Sequence, residues 1–136
     1  MKRDLEYISV KKMKNMRINK VSYNDQIIND YNVIIDVRTP SEFIEDHIPN
    51  SINYPVLSDK QRHEIGSSYK ENSFLAKKNG AEIISFNISK IIKKIDFDKK
   101  DKTLIYCWRG GLRSLSLYLV LKQIGYNVFL LDGGYK

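Results

Sequence analysis

Apolar positions along this chain follow two rhythms. Short continuous runs, Val33-Ile34-Ile35-Asp36-Val37, Thr103-Leu104-Ile105-Tyr106 and Val128-Phe129-Leu130-Leu131, have the pattern of strands buried on both faces. Elsewhere, Ile84, Ile88, Ile91, Ile92 and Ile95 recur at helical spacing and predict a helix from Phe74 to Ile95, with Gly80 a weak point inside it. Leu115 to Ile124 is apolar almost all round, which predicts a buried helix ended by Gly125 as its C-cap.

Local signals fill the intervals. Thr39-Pro40-Ser41-Glu42 reads as a capping box with proline at the first helical position, so a short helix starts there and ends by His47-Ile48-Pro49-Asn50. Ser58 is placed to cap a helix over Asp59 to Ser67, and Ser22 to cap one over Tyr23 to Asn29. Ile52-Asn53-Tyr54 predicts a second, brief strand, and Asp98 to Lys102 a polar turn. The basic stretch to about residue 20, with Lys11, Lys12, Lys14, Arg17 and Lys20, is expected to be an extended edge segment or a partly mobile arm. Strands alternating with helices predict an α/β fold with a central parallel sheet and helices on both faces. A site is then expected at the carboxyl ends of the strands.

Composition narrows the class. A chain of 136 residues, 42% hydrophobic and 29% charged, is expected to form one globular domain over 1–136. No apolar run is long enough to cross a bilayer, and Met1-Lys2-Arg3-Asp4-Leu5-Glu6 lacks the apolar core of a signal peptide, so a cytoplasmic location without membrane partners is expected. The net charge of +7 suits an anionic partner such as nucleic acid or a phosphorylated ligand, and follows equally from a Lys-, Asn- and Ile-rich composition. Lys90, Lys93 and Lys94, beside the isoleucine stripe, are expected to be a solvated face rather than an RNA-facing one.

The candidate chemistry centres on Cys107, the single cysteine. It follows an apolar strand and opens the run Cys107-Trp108-Arg109-Gly110-Gly111-Leu112-Arg113-Ser114, after which an apolar helix begins. Such a setting favours a thiolate, because helix N-terminal amides and neighbouring arginines stabilise negative charge on sulfur. Gly110 and Gly111 are expected to take positive φ angles and let the loop amides curl around the sulfur, while Arg109 and Arg113 hold an anionic substrate. A lone cysteine is more often a buried small hydrophobe, but the glycines and arginines of this loop argue against that here. Trp108 either fills a packing gap or offers a stacking face for a base. With no second cysteine, a sulfur or selenium adduct on Cys107 has no resolving thiol in this chain.

These residues resemble the rhodanese superfamily over nearly the whole chain. The resemblance rests on Asp36-Val37-Arg38 with Glu42-Phe43, His47-Ile48-Pro49, Asn50-Ser51-Ile52-Asn53, the Cys107 loop and Leu131-Asp132-Gly133-Gly134-Tyr135, in that order. Within the superfamily, the loop from Cys107 to Ser114, and a block containing Leu57, Asp59, Arg62, Gly66, Tyr69 and Lys70, look like the tRNA 2-selenouridine synthase family. The resemblance implies a three-layer rhodanese-like fold and a role for Cys107 in replacing the sulfur of wobble 2-thiouridine in tRNA with selenium. Selenophosphate is then the donor, and geranyl diphosphate a substrate of the full enzyme; no metal and no resident cofactor are implied.

That family also carries a P-loop domain, yet no Gly-Lys-Ser or Gly-Lys-Thr occurs here. The chain is therefore expected to be either one part of a split enzyme or an excised piece, with the P-loop supplied by a separate polypeptide. Five residues lie between Cys107 and Arg113. The resemblance makes this a loop one residue longer than in common sulfurtransferases and equal to that of related phosphatases and arsenate reductases, a width suited to a tetrahedral oxyanion. It also implies that Asp36 and Arg38 support the loop by hydrogen bonds; a structural ion pair at a strand end is an equal reading. For His47, a local hydrogen bond is expected rather than acid–base work. A generic sulfurtransferase, a cysteine-dependent phosphatase or arsenate reductase, and a non-catalytic module docking a P-loop partner remain as alternatives.

Overall fold

The structure, a computed structural model, describes residues 18–109 and 111–135. The expectation for an extended or mobile arm falls mostly on residues 1–17, outside the described residues. Elements follow in the order β1 (Lys20–Val21), α1 (Ile27–Asp30), β2 (Val33–Asp36), α2 (Pro40–Glu45), β3 (Ile52–Asn53), α3 (Asp59–Ser68), α4 (Ser73–Lys94), β4 (Thr103–Tyr106), α5 (Leu112–Ile124) and β5 (Val128–Leu131). The strands form one parallel sheet in the order β1-β5-β4-β2-β3.

Alternation along the three longer strands divides the core. Ile35, Ile105, Val128 and Leu130 face α4 and α5, meeting Ile88, Ile91, Leu117, Tyr118 and Leu121. Their neighbours Ile34, Leu104, Tyr106 and Leu131 face the other way, against Ile27 of α1 and Ile48. Every residue of β4, and every residue of β2 after the half-buried Val33, is thus buried whichever side it takes, which is why these strands read as nearly unbroken apolar runs.

The helix starts follow the capping signals. Thr39 and Ser58 each accept a bond from the backbone N–H three residues on, and the Glu42 and Gln61 side-chain oxygens accept in turn from the backbone N–H of the cap residue. The α4 helix runs through Gly80 without a break, and its Lys90, Lys93 and Lys94 are exposed. Gly125 ends α5 at φ 120, a conformation that glycine adopts without Cβ strain.

Two local expectations are corrected. The first helix is a single turn over Ile27–Asp30 with Gln26 at its N-cap, not one capped by Ser22; the Asn24 side chain accepts from Gln26 N–H and turns the chain first. The last helix begins at Leu112 and is covered on one face only. Its Leu112, Leu119 and Ile124 are exposed, because α5 lies on the outside of the sheet and packs mainly against β4, β5 and α4.

Candidate active site

The register of the sheet places the site. Asp36 of β2 pairs with Tyr106 of β4, so the two strands end side by side and release Arg38 and Cys107 at the same edge. The backbone N–H of Val37 still reaches the carbonyl of Tyr106 at 3.1 Å, holding the two exits together.

Cys107 is 2% exposed, with its sulfur at the base of the loop. The backbone N–H of Gly111 donates to Sγ at 3.1 Å, and the buried Ser114 hydroxyl lies 3.1 Å away. The Ser114 hydroxyl is also 3.1 Å from the carbonyl of Gly111, which closes the loop onto the first turn of α5. A donor amide and a hydroxyl beside a sulfur at a helix start favour negative charge developing there.

The positive φ expected of Gly111 is not found. Its φ is −91, and the loop turns into α5 with an extended residue instead. Gly110 lies outside the described residues.

Above the sulfur is a cavity of about 490 Å³ lined by Cys107, Trp108, Arg109, Gly111, Leu112, Arg113 and Arg62. Three arginines face this space, and no carboxylate lines it. They are not equally available. Arg113 is 15% exposed and its Nη1 donates to Glu42 Oε1 at 2.9 Å, while Arg62 of α3 donates to the same oxygen at 3.0 Å. Arg109 is exposed and makes no ion pair among the described residues. Burial raises the Glu42 carboxyl, but hydrogen bonding and charge from Arg113, with Thr39 N–H and Arg62, outweigh it and hold Glu42 below the usual carboxylate range.

Asp36 and Arg38 form a buried pair, at 0% and 2% exposure. Arg38 Nη2 reaches Asp36 Oδ2 at 2.8 Å, Arg38 Nε lies 3.1 Å from both oxygens, and the Tyr106 hydroxyl donates to Oδ2 at 2.8 Å. A further bond from Arg38 Nη2 to the carbonyl of Asp46 ties in the end of α2. Among the described residues, no buried side-chain polar atom lacks a partner. Among the described residues, the pair meets the active loop and the final turn through ring contacts rather than side-chain hydrogen bonds: the guanidinium lies 5.8 Å from the Trp108 ring centroid and 4.4 Å from that of Tyr135.

Tyr135 was visible in the sequence only as the end of a motif. Positive φ at Gly133 and Gly134 turns the chain after β5, so the Tyr135 N–H donates to the carbonyl of Cys107 at 2.7 Å. Its ring lies 6.0 Å from that of Trp108, which remains 38% exposed. A hydrogen bond to the Asp46 carboxylate, with burial, pushes the Tyr135 hydroxyl up to about 12, so it is a donor at neutral pH.

His47 is not brought to Cys107. Its ring stacks on Phe43 with centroids 3.7 Å apart, and Nδ1 is 2.6 Å from the carbonyl of Phe43, one turn earlier. Sequence reasoning assigned no site role to Glu42, Arg62 or Tyr106. Arg62 had one signal, its place in the Leu57 to Lys70 block; Glu42 had its capping role and its place in the Glu42-Phe43 motif. Among the described residues, no group of His, Cys, Asp and Glu is arranged to hold a metal ion, and no helix is long and apolar enough to cross a membrane.

The tRNA 2-selenouridine synthase of Shewanella pealeana is 35% identical over 130 residues, covering 89% of this chain and 35% of the relative. That of Nitrosomonas europaea is 36% identical over 107 residues, covering 76% and 28%. The chain thus spans about a third of the length of the curated relatives it matches. Among solved structures, the N-terminal domain of a putative ATP/GTP binding protein from Clostridium difficile 630 superposes with a TM-score of 0.71 at 33% identity, over 88% of this chain and 93% of that one. A human single-domain sulfurtransferase shares the fold at 18% identity and a TM-score of 0.52, over 88% and 93%. The rhodanese-like domain model matches residues 20–136, from the edge strand through the cysteine loop to the final turn, and the chain belongs to that family.

Proposed function

We propose that this chain supplies the nucleophile of a transferase that exchanges sulfur for selenium at 2-thiouridine in tRNA, with selenophosphate as donor. The observation that carries the reading is the Cys107 sulfur, bonded by the Gly111 N–H and beside the Ser114 hydroxyl, at the base of a cavity with three arginines and no carboxylate. An anionic donor is attracted to that space, with Arg109 free to bind its oxygens and Arg62 and Arg113 available by exchange from Glu42. The relatives named tRNA 2-selenouridine synthase support the acceptor and the element.

Electron balance refines the role of Cys107. Selenium entering carbon 2 of the base while sulfur leaves as a thiol, with the phosphorus–selenium bond cleaved by water to phosphate, changes no oxidation state. Moving selenium from selenophosphate onto the cysteine sulfur as a perselenide needs a two-electron oxidant, and no second thiol is present to resolve it. The redox-neutral route has the Cys107 thiolate attack carbon 2 as the original sulfur departs, after which selenium displaces Cys107. Alkylation of that sulfur makes it a better leaving group, which is where geranyl diphosphate enters the assembled enzyme.

A P-loop domain acts with this rhodanese-like domain in the same reading, in the cytoplasm. The greater length of the relatives and the likeness to an N-terminal domain of a putative ATP/GTP binding protein support such a partner. The test is a substrate panel given to this chain with and without a P-loop protein: selenophosphate with 2-thiouridine tRNA, thiosulfate with cyanide, and an aryl phosphate. Formation of 2-selenouridine, with little turnover of the other two, sustains the reading. Efficient turnover of the aryl phosphate or of thiosulfate alone replaces it with a phosphatase or a generic sulfurtransferase.

A further inference from the structure

Beside the basic cavity lies a second one of about 450 Å³ with a different chemistry. Trp108 and Tyr135 line it, with Glu42, Glu45 and Asp46 as its carboxylates and the buried Arg38 beneath. Trp108 and Arg62 line both cavities, so the two spaces adjoin at the cysteine loop.

The contrast sorts ligands. The cavity above the sulfur attracts anions, whereas the second, whose Arg38 and Arg62 are paired with Asp36 and Glu42, attracts phosphate less and offers acceptors to groups that carry N–H. Asp46 is already engaged with the Tyr135 hydroxyl and the His47 N–H, but Glu45 is exposed and has no partner among the described residues. The aromatic wall is firm. Tyr135 is fixed through its N–H to Cys107, the Arg38 guanidinium lies 4.4 Å from its ring centroid, and Trp108 stands next to it with its outer side in solvent. A planar, neutral ring with an N–H edge suits this space better than a sugar phosphate does.

We infer that the cavity between Trp108 and Tyr135 is the acceptor-base subsite, in which a pyrimidine stacks on Trp108 and presents its ring N–H to the Glu45 and Asp46 carboxylates. The inference rests on the proposed action on 2-thiouridine and deepens it by dividing the site: donor anion on the arginines of the first cavity, acceptor base across Trp108 with its carbon 2 at the shared edge beside Cys107. Stacking explains why a large aromatic stays exposed directly after the nucleophile. The rim carboxylates select a base with a free N–H at the edge they face.

Trp108 is the only tryptophan, so its emission reports the event directly. The experiment titrates the full chain with a fluorescently labelled anticodon stem-loop carrying 2-thiouridine at the wobble position, reading tryptophan emission and RNA anisotropy together. Parallel stem-loops carry an abasic site or N3-methyl-2-thiouridine there. Quenching by the 2-thiouridine RNA, absent with the abasic RNA and weakened several-fold by N3-methylation, supports the subsite. Trp108→Ala should weaken binding by about fivefold or more, the range of base–aromatic stacking, and Trp108→Phe should restore most of it. RNA binding by anisotropy with no base-dependent quenching overturns the subsite and leaves the tRNA reading standing. No binding of any stem-loop, with or without the P-loop protein, overturns both.

Discussion

Tyr135 N–H and the carbonyl of Cys107 are joined by a 2.7 Å hydrogen bond, which fastens the last turn of the described chain to the residue that carries the nucleophile. The turn depends on Gly133 at φ 76 and Gly134 at φ 68. A Cβ added at Gly133 meets nothing within 4 Å, so substitution there isolates backbone strain from crowding. Gly133→Ala should cost about 1–2 kcal/mol. Urea denaturation measures it, and the alkylation rate of Cys107 should change in the same variant as the Tyr135 anchor loosens; an unchanged midpoint and rate would remove the turn from the account.

The Asp36–Arg38 pair is buried with its Tyr106 and Asp46 partners, so removing one member leaves a charge without compensation. Arg38→Met should destabilise the chain by about 3–5 kcal/mol, and Asp36→Asn combined with Arg38→Met should recover part of that loss. Denaturant midpoints of the single and double variants provide the check. A cost near zero for Arg38→Met contradicts the assignment of this pair as the brace under the aromatic wall.

Glu42 joins α2 to α3 and α5 through Arg62 and Arg113. Its carboxyl is held below its ordinary value in the folded chain, so the stabilisation is fully present above the ordinary carboxylate pKa and is lost as pH falls through the lower folded value. Glu42→Gln keeps a residue able to complete the capping box and removes only the charge. It should cost about 1 kcal/mol near neutrality, since Arg62 is exposed, and the gap to the unsubstituted chain should narrow as pH falls below the ordinary carboxylate pKa. Melting temperatures across pH decide this; a gap independent of pH means that the charge contributes nothing.

Ser114 lies 3.1 Å from the Cys107 sulfur and is fully buried. Ser114→Ala should slow iodoacetamide alkylation of Cys107 and turnover alike by about fivefold, the worth of one net hydrogen bond. Equal rates in the two proteins would show that the hydroxyl serves packing alone.

Local signals made much of the fold legible. Thr39 and Ser58 start helices by contacts spanning three residues, and the apolar runs of β2, β4 and β5 declare strands buried on both faces. The single turn α1 was misplaced because its N-cap, Gln26, makes no side-chain capping bond. Leu119 and Ile124 were read as buried because apolarity around a helix says nothing of how many neighbours it finds. At the site, Cys107 and its loop stood out, since the chemistry lies in consecutive residues. Glu42 did not: its partners Arg62 and Arg113 are 20 and 71 positions away, and such pairs exist only once the sheet has brought α2, α3 and α5 together. The same holds for Tyr106 and Asp36, 70 positions apart on adjacent strands.

The central claim is that the Cys107 sulfur forms and breaks a bond during selenium-for-sulfur exchange. The direct measurement is the single-turnover yield of 2-selenouridine from 2-thiouridine tRNA, with selenophosphate and the P-loop protein supplied, comparing the unsubstituted chain with Cys107→Ser. The substituted chain should bind the tRNA normally and form no 2-selenouridine above background; formation at the unsubstituted rate would contradict the claim.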